Sequence, residues 1–357
     1  MLRSLHRVAK ALRPTRPLQQ SWEGVPEPFR NLPLGKFCLP QELAQWETER
    51  PAIKETVLRF LGDIPPRPEA LAVRIVWEKA ANGYTIEKFI FDNGVDSQVP
   101  GLLAIPTNAK APVPVVITMH GHGGCKEEPF GIVSSHHAVA ERLAKQGCAT
   151  LALDCYFSGE RVGTGPNGLL NRSRRNRAEE MAFFKLNLWL GRSLWGMMLR
   201  DQQIAIDYLQ SRPEIDTKRI GAQGMSLGST GAWWLAAVDD RIQAIVSVAC
   251  FTRYEDLIAT RALASHGIYY FLPGILRHFD SEAIMALVAP RPFLALTGDR
   301  DAGSPPEGIR KLESALHHIY ALYGKTGCFE SVIYPRTGHA YTEAMKQRML
   351  AWMARYL

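Results

Sequence analysis

Residues 221–229, with the sequence GAQGMSLGS, constrain the fold more than any other stretch of the chain. Apolar residues typical of a strand end precede the motif, and residues 229–238 form an apolar run typical of a buried helix. Between them lies the pattern Gly224-x-Ser226-x-Gly228. A serine in this context lies on a sharp turn from strand to helix, where larger side chains two residues away would crowd the backbone. We therefore interpret Ser226 as a candidate nucleophile; the alternative is an ordinary turn rich in glycine and serine.

Predicted strands and helices alternate along most of the chain. Residues 71–77 and 84–91 alternate apolar and polar side chains around Asn82-Gly83, which predicts a hairpin, and residues 99–105 form a third strand. The later predicted strands are largely apolar, as in strands buried on both faces, and cover residues 113–119, 149–153, 219–223, 242–249, 292–297 and 329–334. The predicted helices cover residues 138–146, 194–210, 229–238, 309–323 and 340–356. This alternation predicts an α/β fold: a mostly parallel central sheet with antiparallel N-terminal strands and helices on both faces.

The N-terminal 70 residues are predicted to form a basic tail and a helical extension on a main domain of residues 71–357. A helix is expected over residues 41–61. Residues 1–20 hold five basic residues and no acidic one, which accounts for most of the formal net charge of +7. The remaining chain is close to neutral, so nucleic-acid binding is not expected. The tail fits a solvated arm or, being arginine-rich and acid-free, a mitochondrial presequence.

The sequence also predicts a cytoplasmic protein with reduced thiols. No stretch has the roughly 18 apolar residues of a membrane span. The tail lacks the continuous apolar run of a secretory signal. The six cysteines include no C-x-x-C pair and no spacing with histidine that is typical of zinc.

Polar side chains follow several of the predicted strands, at the point where each strand ends. Chemistry in open α/β sheets gathers at the carboxyl ends of the strands. The residues found there are His120, His122, Asp154, Asp299, Asp301 and His339. Together with Ser226 they give the chain order serine, aspartate, histidine, with each group on its own strand end.

His339 is the candidate base that would accept the proton of the Ser226 hydroxyl and return it to a leaving group, because histidine titrates near neutral pH. An aspartate would orient its ring, and Asp301, Asp299 and the more distant Asp154 compete for this role. The Leu227 amide, directly after the nucleophile, would stabilise a developing oxyanion. A second donor is expected from residues 120–124. The alternative for that segment, a His120-x-His122 metal pair, lacks a third ligand at a useful spacing.

These motifs resemble those of the α/β-hydrolase superfamily, and within it the group that is similar to dienelactone hydrolases and acetyl xylan esterases. The matching segments are HGHGG at 120–124, GMSLG at 224–228, GDRDAGSP at 298–305 and GH at 338–339. The resemblance spans residues 70–357. One departure is that dienelactone hydrolases carry a cysteine nucleophile, whereas this chain has Ser226, which favours ester hydrolysis over lactone opening.

The resemblance implies the α/β-hydrolase fold and a Ser226–His339–Asp301 triad, with Asp299 shaping the acid loop. It assigns the second oxyanion donor to His122. It further implies esterase chemistry without a metal or organic cofactor, on a small-molecule ester whose acyl group is short, such as an acetyl group on a carbohydrate.

Two segments that look irregular, residues 155–193 and 251–280, are predicted to form a cap over the site. The first contains a cluster of four arginines that would either bind an anionic substrate group or face solvent: Arg172, Arg174, Arg175 and Arg177. The second contains aromatic side chains and a histidine that would either line a pocket or form the core of the cap: Tyr254, His266, Tyr269, Tyr270 and Phe271. Four tryptophans are expected in the core: Trp189, Trp195, Trp233 and Trp234.

The leading functional hypothesis is a carboxylic-ester hydrolase that works through an acyl-serine intermediate. One alternative is a serine peptidase of the prolyl-oligopeptidase type, against which the N-terminal region is too short for a propeller. The other is a non-catalytic binding protein that kept the fold, against which all three types of triad residue are present in the expected order. Amidase assays and labelling of Ser226 by a fluorophosphonate would separate these hypotheses.

Overall fold

A nine-stranded mixed sheet organises the chain in the order β1-β2-β3-β5-β4-β6-β7-β8-β9. The computed structural model describes residues 25–134, 137–168 and 175–357. The strands are β1 Val73–Ala80, β2 Tyr84–Asp92, β3 Gln98–Pro106, β4 Val113–Met119, β5 Ala149–Leu153, β6 Ile215–Met225, β7 Ile242–Val248, β8 Phe293–Gly298 and β9 Phe329–Tyr334. Along this order the pairs β1-β2, β2-β3 and β3-β5 are antiparallel, and every pair from β5-β4 to β8-β9 is parallel. The predicted α/β class, with antiparallel N-terminal strands on a mostly parallel sheet, is confirmed.

The central parallel strands β4, β5, β7 and β8 are largely apolar, as expected where helices cover both faces of a sheet. Along β7, Ile245 belongs to one apolar cluster and Val246 to another, and along β8 the same division separates Phe293 from Leu294. Successive strand residues point to opposite faces, so the two clusters lie on opposite sides of the sheet.

The helices are α1 Leu43–Leu61, α2 Ala140–Lys145, α3 Arg175–Trp189, α4 Leu194–Gln210, α5 Leu227–Val238, α6 Tyr254–Ala259, α7 Ser281–Ala286, α8 Pro306–Leu322 and α9 Glu343–Tyr356.

Helix α1 shares the larger apolar cluster with the sheet and with α5. Trp46 and Val57 of this helix are fully buried in that cluster. Polar contacts tie the same helix to the main body: Arg50 donates to the Leu287 carbonyl and Lys54 lies 2.7 Å from Asp240. In the part of the chain that the structure describes, no helix is both long and apolar enough to cross a membrane.

The two predicted cap segments contain more regular structure than their sequences indicate. Helix α3 lies in the first, and α6 with three short 3-10 turns lies in the second. Residues 1–24, which include the basic tail, and two of the clustered arginines, Arg172 and Arg174, lie outside the described residues, and Arg177 is exposed on α3.

The prediction that Trp189 belongs to the core is wrong, because its side chain is 90% exposed. The buried face of α3 carries Glu180, Phe183 and Asn187, which are spaced three and four residues apart. Residues at this spacing share one face of a helix, whereas Trp189, two residues beyond Asn187, points away from it. The other three tryptophans are buried as predicted.

Candidate active site

Ser226 lies on a strained turn between the end of β6 and the start of α5. Its backbone has φ 60° and ψ −117°, a conformation that residues other than glycine seldom adopt. A Cβ on Gly228 would lie 2.1 Å from the Met119 carbonyl oxygen, and one on Gly224 would lie 2.5 Å from the Gly228 carbonyl carbon. The two glycines are therefore required because the turn packs its backbone against the end of β4.

The structure brings Asp301 and His339 into direct contact. The Nδ1 atom of His339 lies 3.0 and 2.9 Å from the two carboxylate oxygens of Asp301. The Asp301 side chain is buried and also accepts a hydrogen bond of 2.9 Å from the Gly303 amide. A Cβ on Gly298 would lie 2.2 Å from the Thr337 carbonyl oxygen, so backbone packing holds the loops after β8 and β9 together.

The other two candidate aspartates engage different partners. Asp299 accepts a hydrogen bond of 3.1 Å from the Thr337 amide, which links the acid loop to the histidine loop. Asp154 is fully buried and accepts from the Lys126 amide and Nζ, at 2.8 and 2.9 Å. It also accepts from the Glu160 amide, so it organises the loops that follow β4 and β5.

The environment of His339 suits a proton acceptor. Burial disfavours the charged ring, but the hydrogen bond and negative charge of Asp301 outweigh this effect and raise the pKa of His339 above its ordinary value. The side chain remains 42% exposed. With Nδ1 engaged by Asp301, the other ring nitrogen, Nε2, is the atom available for proton exchange.

Two backbone segments next to Ser226 carry the predicted oxyanion donors. Leu227 is the first residue of α5, so its amide has no carbonyl partner one turn earlier. A Cβ on Gly121 would lie 3.8 Å from the Cβ of Ser226, which places the loop after β4 directly against the turn that carries Ser226. His122 follows in a turn closed by the Gly124 amide and the Gly121 carbonyl, 2.9 Å apart. Gly123 has φ +79°, as the third position of such a turn requires.

The two histidines of this loop engage different partners. His120 is buried, with Nδ1 2.8 Å from the Gly121 carbonyl oxygen and Nε2 accepting from the Cys155 amide. The Nε2 atom of His122 lies 2.8 Å from Glu180 of α3. Within residues 25–134, 137–168 and 175–357, no group of three or more histidine, cysteine, aspartate or glutamate side chains could hold a metal ion.

Several residues that the sequence did not single out surround these groups. Cys250, just past β7, is buried, and burial raises the pKa of its thiol. Thr252 donates to the Gly303 carbonyl oxygen at 2.6 Å and so supports the acid loop. Both residues lie just past the carboxyl end of β7, so the rule that chemistry gathers at the carboxyl ends of strands would have identified them.

The cap segments contribute aromatic and charged side chains to the same region. The ring of His122 lies 5.5 Å from that of Tyr269 and 5.9 Å from that of Phe157. His266 has Nδ1 2.9 Å from the Tyr270 hydroxyl, and its own burial lowers the pKa of the His266 ring. Tyr269 and Tyr270 are buried, so these two aromatics pack the cap rather than face solvent.

Comparison with known sequences finds relatives along most of the chain. A sequence model described as the Abhydrolase family matches residues 34–304. The protein named "Putative hydrolase YtaP" from Bacillus subtilis (strain 168) is 32% identical over 311 residues, which cover 85% of this chain and 98% of that protein. The "Putative carboxymethylenebutenolidase" of Yersinia pestis is 25% identical over 276 residues, which cover 72% of this chain and 84% of that one.

Comparison with solved structures finds the same architecture at low sequence identity. A glucuronoyl esterase from Solibacter usitatus superposes with a TM-score of 0.68 at 16% identity, covering 91% of this chain and 99% of its own. A structure titled as a "putative acetyl xylan esterase" from Bacteroides fragilis NCTC 9343 gives a TM-score of 0.69 at 19% identity, covering 99% and 90%. At these identities the likeness shows a shared fold.

Proposed function

The chain belongs to the Abhydrolase family and has the α/β-hydrolase fold, and from this premise we propose that it is a serine hydrolase that cleaves carboxylic esters. The observation that carries the proposal is the arrangement of three groups at strand ends. Ser226 lies on the strained turn after β6, and the His339–Asp301 pair lies on the loops after β9 and β8. The order along the chain and the hydrogen bond between acid and base are those of a Ser-His-Asp hydrolase.

In the proposed mechanism, the Ser226 hydroxyl oxygen attacks the ester carbonyl carbon while His339 Nε2 accepts the hydroxyl proton. Asp301 keeps the proton on Nδ1 and stabilises the imidazolium that forms. The amides of Leu227 and His122 donate to the oxyanion of the tetrahedral intermediate. The intermediate collapses as His339 returns the proton to the leaving alcohol, which departs and leaves an acyl group on Ser226.

The second half of the reaction repeats these steps with water. His339 accepts a proton from a water molecule, which attacks the acyl-serine carbonyl, and the same two amides stabilise the second oxyanion. As this intermediate collapses, His339 returns the proton to the Ser226 oxygen, which restores the hydroxyl, and the carboxylic acid is released. Each step uses side chains and amides of this chain alone.

For the substrate, we propose an ester with a short acyl group, with the acetyl group of a carbohydrate ester as the first candidate. The support is the resemblance of the motifs to acetyl xylan esterases and the fold shared with a structure titled as a putative acetyl xylan esterase.

The proposal is tested by initial rates on the p-nitrophenyl esters of acetate, butyrate and octanoate. We expect turnover that falls steeply from acetate to octanoate, because a short acyl pocket excludes the longer chains. Ser226→Ala should abolish turnover and labelling by a fluorophosphonate. Activity that survives in Ser226→Ala would contradict the nucleophile, and equal rates on the three esters would contradict the short-acyl preference.

A further inference from the structure

We propose that Glu180 of cap helix α3 is a positioning residue that holds His122, and with it the backbone amide at the oxyanion, in its working orientation. The inference rests on the proposed function and adds a residue to it. It assigns to the cap a role in stabilising the transition state, beside any role in selecting the substrate.

The contact itself is short and buried on one side. Glu180 Oε2 lies 2.8 Å from His122 Nε2. The Glu180 side chain is 3% exposed, whereas that of His122 is 34% exposed. The carboxylate is therefore shielded from solvent, whereas part of the His122 ring remains exposed.

A carboxylate this deeply buried is costly unless a partner compensates for its lost hydration. Within the described residues, Oε2 has His122 as its partner, and Oε1 has no hydrogen-bond partner. The hydration lost on burial is thus compensated through one contact with the loop after β4. A buried carboxylate with one unpaired oxygen lowers the free energy of unfolding. Such a cost is common where a side chain is needed for function rather than for stability.

The opposite side of the carboxylate is closed by the second cap segment. A Cβ on Gly267 would lie 2.7 Å from Glu180 Oε1 and 2.4 Å from Cε1 of Tyr269. The backbone at Gly267 therefore lies close against the carboxylate. The Tyr269 ring, 5.5 Å from the His122 ring, closes the remaining side.

The sequence around His122 explains why its side chain needs an anchor. In the segment Gly121-His122-Gly123-Gly124, His122 carries the one side chain, and its three neighbours are the residue type with the greatest backbone freedom. Fixing the ring fixes the adjacent peptide groups. Because an oxyanion donor acts through preorganised geometry, an anchored ring would raise the turnover number without contacting the substrate.

The neighbouring Glu179 offers a matched control. It is on the same helix and is as buried as Glu180. Its carboxylate accepts from the amides of Gly163 and Gly165, at 2.9 and 3.1 Å, rather than from the loop after β4. Removing Glu179 therefore disturbs the cap to a similar degree but leaves the His122 contact in place.

The experiment measures kcat and KM on p-nitrophenyl acetate, together with the Ki of a trifluoromethyl ketone, which forms a hemiketal oxyanion on the nucleophile. In Glu180→Ala we expect kcat to fall by about 10- to 100-fold, since misplaced catalytic groups cost factors of this size. We expect KM to stay within about twofold and Ki to rise in proportion to the loss of kcat. Glu180→Gln keeps an acceptor for the ring N–H and should retain kcat within about threefold.

The double variant Glu180→Ala, His122→Ala separates positioning from support of the fold. If Glu180 acts through the His122 ring, His122→Ala should cost as much as Glu180→Ala, and the double variant should cost no more than either. Glu179→Ala should leave kcat and the ratio of Ki to KM near the wild-type values. If Glu180→Ala does not fold, His122→Ala, at a partly exposed side chain, carries the same test.

Three results would overturn the inference: an unchanged kcat in Glu180→Ala or His122→Ala, an equal loss of kcat in Glu179→Ala, or losses that multiply in the double variant. These outcomes differ from failure of the proposed function. Absence of turnover by the wild-type protein would overturn both, whereas an active wild type with a fully active Glu180→Ala would overturn the positioning role alone.

Discussion

The acid–base side of the candidate site and its oxyanion side are supported by different parts of the molecule. Asp301 and His339 lie on loops joined by backbone packing, with Gly298 against the Thr337 carbonyl. His122 instead lies in a glycine-rich loop whose side-chain contact is to Glu180 of the cap. If the proposed mechanism holds, proton transfer depends on the edge of the sheet, whereas stabilisation of the oxyanion depends on the contact between His122 and the cap helix.

The largest effect is expected at the sheet edge, from Asp301→Asn. An asparagine amide cannot replace the carboxylate that accepts the Nδ1 proton, so kcat should fall by about 10³- to 10⁴-fold, as expected for a wrong tautomer. Asp299→Asn keeps an oxygen that accepts from the Thr337 amide and should lose less than about tenfold. The measurement is kcat on p-nitrophenyl acetate. Equal losses in the two variants would remove the distinction between the triad acid and the loop-shaping residue.

The pH dependence provides a second, smaller test of the same comparison. His339 must be neutral to accept a proton, and its pKa is raised above 6.5, so kcat/KM should fall about tenfold per unit below a midpoint that lies above pH 6.5. In Asp301→Asn both raising contributions are weakened while burial still lowers the pKa, so the midpoint should move to lower pH. In Glu180→Ala the midpoint should not move. A shift in that variant would mean that the two sides of the site are not separate.

The smallest effect is expected at the outer end of the cap helix. Trp189→Ser removes a side chain that is 90% exposed, so the free energy of unfolding should change by less than about 0.5 kcal/mol, with kcat unchanged. Trp195→Ala removes a ring that is 1% exposed and should cost about 3–5 kcal/mol. Chemical denaturation with an activity assay measures both quantities. A change of kcat in Trp189→Ser would show that the cap acts on the site along its whole length.

The sequence predicted the sheet and its edge well, for a physical reason. Strands β4, β5 and β9 and helix α4 have the predicted bounds, since each is an apolar or clearly periodic run closed by turn residues. The candidate groups at the strand ends followed from one rule about open sheets, and the structure brings Asp301 and His339 together there. The assignment of roles to these residues remains a proposal.

The sequence did not predict helix α3 in the first cap segment, because the buried face of this helix is mostly polar. Helix α3 buries Glu179, Glu180 and Asn187, so hydrophobic periodicity indicates no helix in this stretch. Its largest apolar residue, Trp189, is 90% exposed and points away from that face. The contact between Glu180 and His122 joins residues 58 positions apart, and no local pattern predicts such a pairing.

The glycines at 224, 228 and 298 limit the substitutions that related proteins can accept as they diverge. At each of them the space of a single Cβ is already filled by the main chain of another segment. Few substitutions can therefore be accepted at these positions, because a larger side chain would disrupt the turn at Ser226 or the loop after β8. In the two cap inserts the neighbours can give way more easily, since a Cβ on Gly267 would meet side-chain atoms, those of Tyr269 and Glu180. Ancestral changes in substrate would then accumulate in the inserts, and those that reach Glu180 would alter turnover as well as selectivity.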